Sequence, residues 1–115
     1  MLRIFIFLLT MLFAVSATAA KPELLGYGVK SCSQYRSAYY GWKQGHEANI
    51  AQYQRFQDWL TGFLSGLSLA VGEDLLKGVE IESVMRRNNL YCEENTESDF
   101  FNATMKLLES LRKLP

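Results

Sequence analysis

The run EANIAQYQRFQDWLTGFLSGLSLAV, residues 47–71, contains no proline, and its large apolar side chains Phe56, Trp59, Leu60, Phe63, Leu64 and Leu67 recur at threes and fours. That spacing winds onto one face of an α-helix; a half-buried strand needs alternation at every second residue. The first half is polar on its other side, with Gln52, Gln54, Arg55, Gln57 and Asp58, whereas from Trp59 onward the apolar character runs nearly all the way round, a pattern that predicts burial. Gly62, Gly66 and Ala70 fall at i, i+4 and i+8, so one strip lacks bulk and another backbone is expected to lie close against it. A helix from Trp59 to Val71 would be about 20 Å long, short of the roughly 30 Å of bilayer hydrocarbon, and Asp58, Glu73 and Asp74 flank it closely. The run is therefore expected to be the central helix of a soluble bundle rather than a membrane span, with Trp59, Gly62, Phe63, Gly66 and Leu67 packed in its core.

Residues 1–20 read as an address. Arg3 gives a positive start, IFIFLLTMLFAV an apolar run of signal-peptide length, and SATAA a small-residue exit with cleavage near Ala19 or Ala20. A retained anchor is the competing reading, and the run is short for one. The rest of the chain, residues 21–115, is long enough for a single helical domain with one modest core. Twelve Lys and Arg balance twelve Asp and Glu, so no basic field exists for a phosphate backbone and nucleic acid is not expected as a partner.

Two cysteines, Cys32 and Cys92, lie beyond the leader. In a small exported domain an even pair is most simply one disulfide. A catalytic or metal-binding cysteine is the alternative, although the chain has no CxxC pair and His46 is its only histidine.

Around the long helix the pattern predicts three more. SCSQYRSAYYGW places Tyr35, Tyr39 and Trp42 at i, i+4 and i+7, with Ser31 or Ser33 as the cap, and a break is expected near Gly41 and Gly45. EDLLKGVE reads as a turn with Gly78 as its stop. IESVMRRNNLYC is a short helix with Ile81, Val84, Met85 and Asn88 on one face, delivering Cys92 to its partner. The last helix is expected to be capped by Asn95 or Thr96, with Glu97 and Asp99 in its first turn and Arg112 and Lys113 in its last, which suits the helix dipole. Phe100, Thr104, Leu107, Leu108, Leu111 and Leu114 form its apolar stripe. The fold class is all-α: a small four-helix bundle with one disulfide.

Few groups converge for chemistry. His46 and Glu47 are adjacent on a helix start and point in different directions, and no nucleophile can be assigned to them. The acidic pairs Glu73-Asp74, Glu93-Glu94 and Glu80/Glu82 match no calcium-loop pattern, and Arg86-Arg87 is too short for a lipid or nucleic-acid patch. No catalytic residue, metal or cofactor is expected. The aromatic side chains, 13% of the chain, are more suggestive: Tyr35, Tyr39, Trp42 and Tyr53 lie on one helix pair. They are candidates for a surface that meets a client or partner protein, and the alternative is that they fill the core.

The succession of a signal peptide, SCSQY, DWLTGFLSG, a Gly-Glu-Asp turn and VMRRNNLYCEEN resembles the small periplasmic acid-stress chaperone family of HdeA and HdeB, and it is also similar to the Tai-type immunity proteins. The resemblance covers most of the chain beyond the leader. Cys32 and Cys92 match that family's disulfide positions, and Trp59, Gly62 and Gly66 match a core pattern of its relatives. It implies an HdeA-like fold and a non-enzymatic periplasmic or secreted binding protein that exposes apolar surface at low pH to hold unfolded clients, with a homodimer as one candidate assembly. The alternative is an immunity or inhibitor protein that caps one toxin or envelope enzyme through a preformed helical surface.

Overall fold

The structure is a computed structural model that describes residues 21–115; the expected leader and its cleavage site lie outside the described residues. A 3-10 turn, Gly26–Val29, precedes four helices: α1 (Cys32–Lys43), α2 (Glu47–Val71), α3 (Ile81–Glu94) and α4 (Phe100–Arg112). No strand is present among the described residues beyond an isolated bridge between Ser31 and Asp99.

Local chemistry explains the helix boundaries. Ser31 Oγ accepts from Gln34 N at 3.1 Å while the Gln34 side chain accepts from Ser31 N at 3.1 Å, a reciprocal pair that satisfies two otherwise orphan donors at the start of α1. The expected break comes at Gly45, whose φ of 77° lies in the left-handed region. The long helix ends at Gly72, also left-handed at φ 76°, which donates its N–H to Ser68 O at 2.9 Å. Gly78 supplies the turn, as expected, without being the stop of a helix.

The start of α4 falls later than the sequence suggests. Cys32 N donates to Ser98 O at 2.9 Å and Phe100 N to Lys30 O at 3.0 Å, so the 95–99 segment finds partners on the lead into α1 and cannot wind into a helix. Asp99, not Asn95 or Thr96, is the cap, accepting from Asn102 N at 2.7 Å. Asn95 instead closes the previous helix, its Nδ2 donating to Tyr91 O at 2.9 Å.

The core is centred on Phe56 and the three rings that it meets. Phe56 of α2 meets Tyr35 of α1 at 4.9 Å, Phe100 of α4 at 5.0 Å and Tyr27 of the 3-10 turn at 4.9 Å between centroids. Leu60 and Leu64 continue the buried stripe of α2, and Val84 and Met85 bring in α3. Cys32 and Cys92 are bonded to each other, with 4.9 Å between their Cα atoms, and tie the start of α1 to the end of α3. Neither sulfur is free, which removes the catalytic or metal-binding alternative for them.

Two expectations for α2 are corrected. The glycine strip is not packed: Gly62 and Gly66 are exposed, and a methyl group on either would meet nothing within 4 Å. Apolar composition all round the helix does not mean burial all round either, since Leu69 is 85% and Val71 52% exposed. The reason is length. A 12-residue α1 folds back along a 25-residue α2 and runs out near its middle, because helix length scales at about 1.5 Å per residue. Beyond that point α2 is covered on one side only. Trp59 lies under the 3-10 turn, where a side chain at Gly28 would overlap its ring, and Phe63 meets Phe101 of α4 at 5.7 Å. In α4 the buried stripe ends at Leu111; Leu114 lies past the helix and is exposed.

An uncovered helical glycine makes a prediction of opposite sign to a packed one. Gly66→Ala is expected to raise stability by about 0.5 to 1 kcal/mol, because alanine loses less backbone freedom on folding and has room for its methyl. Urea unfolding measures it; a fall in the midpoint would mean that another surface covers this strip.

Candidate functional site

The four aromatic residues singled out for a partner surface do come together, but inward. Tyr35, Tyr39 and Tyr53 are 0%, 5% and 3% exposed, and only Trp42 is half-buried, stacked on Tyr53 at 4.0 Å with a 4° interplanar angle. This corrects the surface reading in favour of core filling. Amphipathic rings can be buried when their polar ends find partners, and Tyr35 donates its hydroxyl to Met85 O at 2.6 Å.

Their burial has an electrostatic consequence. Removal from water, then the neighbouring Tyr39 and Glu82, push the Tyr53 hydroxyl up to about 12, and burial followed by Tyr53 and Tyr39 pushes Tyr35 higher still. A phenol whose folded pKa exceeds its unfolded value contributes stability that is fully present below about pH 10 and is lost as pH rises through about 12. Thermal melts from pH 9 to 12 are therefore expected to show falling stability, and Tyr53→Phe is expected to lose less over that interval. Equal slopes for the two proteins would contradict this origin.

The concave apolar feature lies elsewhere. The last turns of α2, the 72–80 connection, Tyr91 of α3 and α4 line a groove of about 670 Å³ whose apolar lining is Leu67, Val71, Leu75, Tyr91, Met105 and Leu108. This is within the range of volumes that bind small ligands or anchoring side chains. Val71 is 52% and Met105 38% exposed. Exposed Glu73, Lys106, Glu109 and Arg112 also line it, and Glu109 pairs with Lys106 at 3.7 Å and Lys113 at 3.5 Å. Of the residues expected to form the core of α2, Leu67 belongs to this groove. Trp59 and Phe63 stack at 4.9 Å between the 3-10 turn and α4, and Trp59 Nε1 donates to Leu25 O at 3.0 Å.

Sequence reading missed the groove because it treated EDLLKGVE as a plain turn. The signal was present in pairs, Leu67/Val71 at i, i+4 and Met105/Leu108 at i, i+3, in which Val71 and Met105 extend an edge beyond the residues assigned to the core.

One wall of the groove is loosely secured. In the buried interface between α3 and α4, Asn88 and Thr104 are both 0% exposed. Asn88 Nδ2 donates to Thr104 Oγ1 at 2.9 Å, and Thr104 donates to Phe100 O at 2.9 Å, yet Asn88 Oδ1 has no partner. A half-satisfied polar pair stabilises an interface less than apolar packing of the same size.

The arrangement can bury apolar groups. His46 is exposed at the entry to α2, and among the described residues no group of three or more His, Cys, Asp or Glu side chains is placed to hold a metal ion. No described helix is long and apolar enough to cross a membrane. The chain matches no known protein-family profile, no curated protein and no solved structure.

Proposed function

We propose that this chain is a non-enzymatic exported binding protein that works in the manner of the acid-stress chaperones its sequence resembles, holding apolar segments of unfolded client proteins. The observation that carries the reading is the open apolar groove lined by Leu67, Val71, Leu75, Tyr91, Met105 and Leu108, of which Val71 and Met105 are exposed. Contiguous exposed apolar surface rimmed by charge is characteristic of interaction sites. The disulfide fits an oxidising compartment outside the cytosol, and the leader expected over residues 1–20 would take the chain there.

Acid supplies the trigger in this reading. With Arg3 removed in the leader, eleven Lys and Arg face twelve Asp and Glu. Well below the carboxylate reference values of about 4, the acids become neutral and the domain strongly cationic. Self-repulsion then favours expansion, and α4, which lacks a covalent tie and carries Lys106, Arg112 and Lys113, is the element that loosens. Its ion pairs to Glu109 are exposed and contribute little by themselves; the summed repulsion carries the effect. The groove widens while the Cys32–Cys92 bridge limits full unfolding.

The test is suppression of aggregation of an acid-denatured client, followed by light scattering at pH 3 and pH 7. Suppression is expected at pH 3 and not at pH 7, and Met105→Lys is expected to weaken client binding at pH 3 by about tenfold, roughly the loss of one buried apolar side chain. Scattering unchanged by the protein at pH 3 would overturn the chaperone reading, and capture of one stoichiometric partner at both pH values would favour the immunity or inhibitor alternative.

A further inference from the structure

A second cleft, of about 370 Å³, shares no residue with the groove and has the opposite chemistry: it is lined by Ser33, Arg36, Ser37 and Tyr40 of α1 and by Thr96 of the loop before α4. The four α1 residues fall at i, i+3, i+4 and i+7, one face of the helix. Thr96 is held against that face from both sides. Cys92, shortly before it, is bonded to Cys32 at the start of α1, and Ser98, shortly after it, accepts from Cys32 N at 2.9 Å. The walls are thus fixed to each other before any ligand arrives, which lowers the ordering cost of binding.

Arg36 is the unusual member. Its Nε is buried and has no hydrogen-bond partner, and among the described residues no carboxylate pairs with its guanidinium. The group lies 5.9 Å from the centroid of the Tyr40 ring, whose hydroxyl donates to Glu93; Asn89 Nδ2 also donates to Glu93, at 3.2 Å. The acid on the facing helix is therefore already engaged, and the arginine is left with donors and no acceptor. A guanidinium that lines a cleft of hydroxyls with no carboxylate paired to it has terminal donors to offer an anion.

We propose that this cleft binds a compact carboxylate, taken end-on by the terminal N–H groups of Arg36, with the hydroxyls of Ser33, Ser37 and Thr96 as further donors. A planar guanidinium fork matches a carboxylate bidentately. A phosphate would bring a second negative charge beside Glu93, and beside Glu94 and Glu97, which line the adjoining hollow together with Thr96; the single charge of a carboxylate suits the local field. Two sources offer that chemistry, a free small carboxylic acid and the carboxyl terminus of a peptide. The proposal is independent of client holding at the groove, and the two can fail separately.

The test is an NMR titration of the oxidised chain, following the Arg36 Nε–Hε signal and the amides of Ser33, Ser37 and Thr96. The probes are sodium acetate, inorganic phosphate, and one tetrapeptide with a free or an amidated C-terminus. Saturable shifts are expected with acetate and with the free-acid peptide, with the amidated peptide at least tenfold weaker. Tighter binding of the free-acid peptide than of acetate identifies a peptide terminus, and the reverse identifies a small acid. Arg36→Gln is expected to lose at least tenfold in affinity, and Arg36→Lys, which keeps the charge without the fork, to remain weaker than the unaltered protein; circular dichroism of both checks the fold. No saturable shift at Arg36, equal binding of the two peptides, phosphate binding more tightly than acetate, or full affinity in Arg36→Lys would each overturn the proposal.

Discussion

Removal of the Cys32–Cys92 bridge, by reductant or by replacing both cysteines with alanine, is expected to lower stability by about 4 kcal/mol and the melting temperature by about 20 °C. The size reflects the sequence separation of 60: a cross-link removes from the unfolded chain the freedom to separate its ends, and the effect grows slowly with loop length. In a domain of this size that is a large share of a total that rarely exceeds about 15 kcal/mol. The polar contacts that remain at the same junction are the hydrogen bonds of Cys32 N to Ser98 O and Phe100 N to Lys30 O, each contributing on the order of 1 kcal/mol. Urea unfolding with and without reductant measures the difference. A midpoint that does not move would mean that the unfolded chain is already constrained or that the bridge is strained enough to cancel its own contribution.

Phe56→Ala is expected to cost about 3 to 5 kcal/mol. This ring is 1% exposed and meets Tyr27, Tyr35 and Phe100, so one side chain of α2 joins the 3-10 turn, α1 and α4. Those neighbours come from three different elements and cannot all collapse into the space left, so a cavity persists and its cost adds to the lost burial. Phe56→Leu keeps most of the volume and should cost about 1.5 kcal/mol or less. Equal, small losses in both variants would show that the junction repacks freely and is not the centre of the fold.

The parts of the fold legible in the sequence are those fixed by periodicity and by the count of cysteines. Phe56, Leu60 and Leu64 repeat at the helical period and are buried; the two cysteines had one partner each to choose, and they pair. A serine cap for α1 was legible at Ser31 or Ser33, and the structure selects Ser31, whose partner Gln34 is three residues away. The misreadings share a different cause, dependence on what lies across space. Gly62 and Gly66 have the spacing of a close approach, but no element of the described chain reaches them, and spacing alone does not say whether a partner exists. Asp99 caps α4 because Lys30 and Cys32 hold the stretch of chain before it, a long-range bond that no local pattern announces. The edges of the groove repeat at helical spacing, but its walls come from α2, the 72–80 connection, α3 and α4 and no one segment announces the others; Arg36 is one more surface arginine until the cleft it lines is seen.

The central claim is that acid loosens α4 from a body that the bridge keeps together. Amide hydrogen exchange of the oxidised protein at pH 7 and pH 3, expressed as protection relative to the unfolded chain, tests it residue by residue. Residues 100–112 and the last turns of α2 are expected to lose protection at pH 3 while the amides around Cys32 and Cys92 keep theirs. Protection of α4 that is as high at pH 3 as at pH 7 would contradict it.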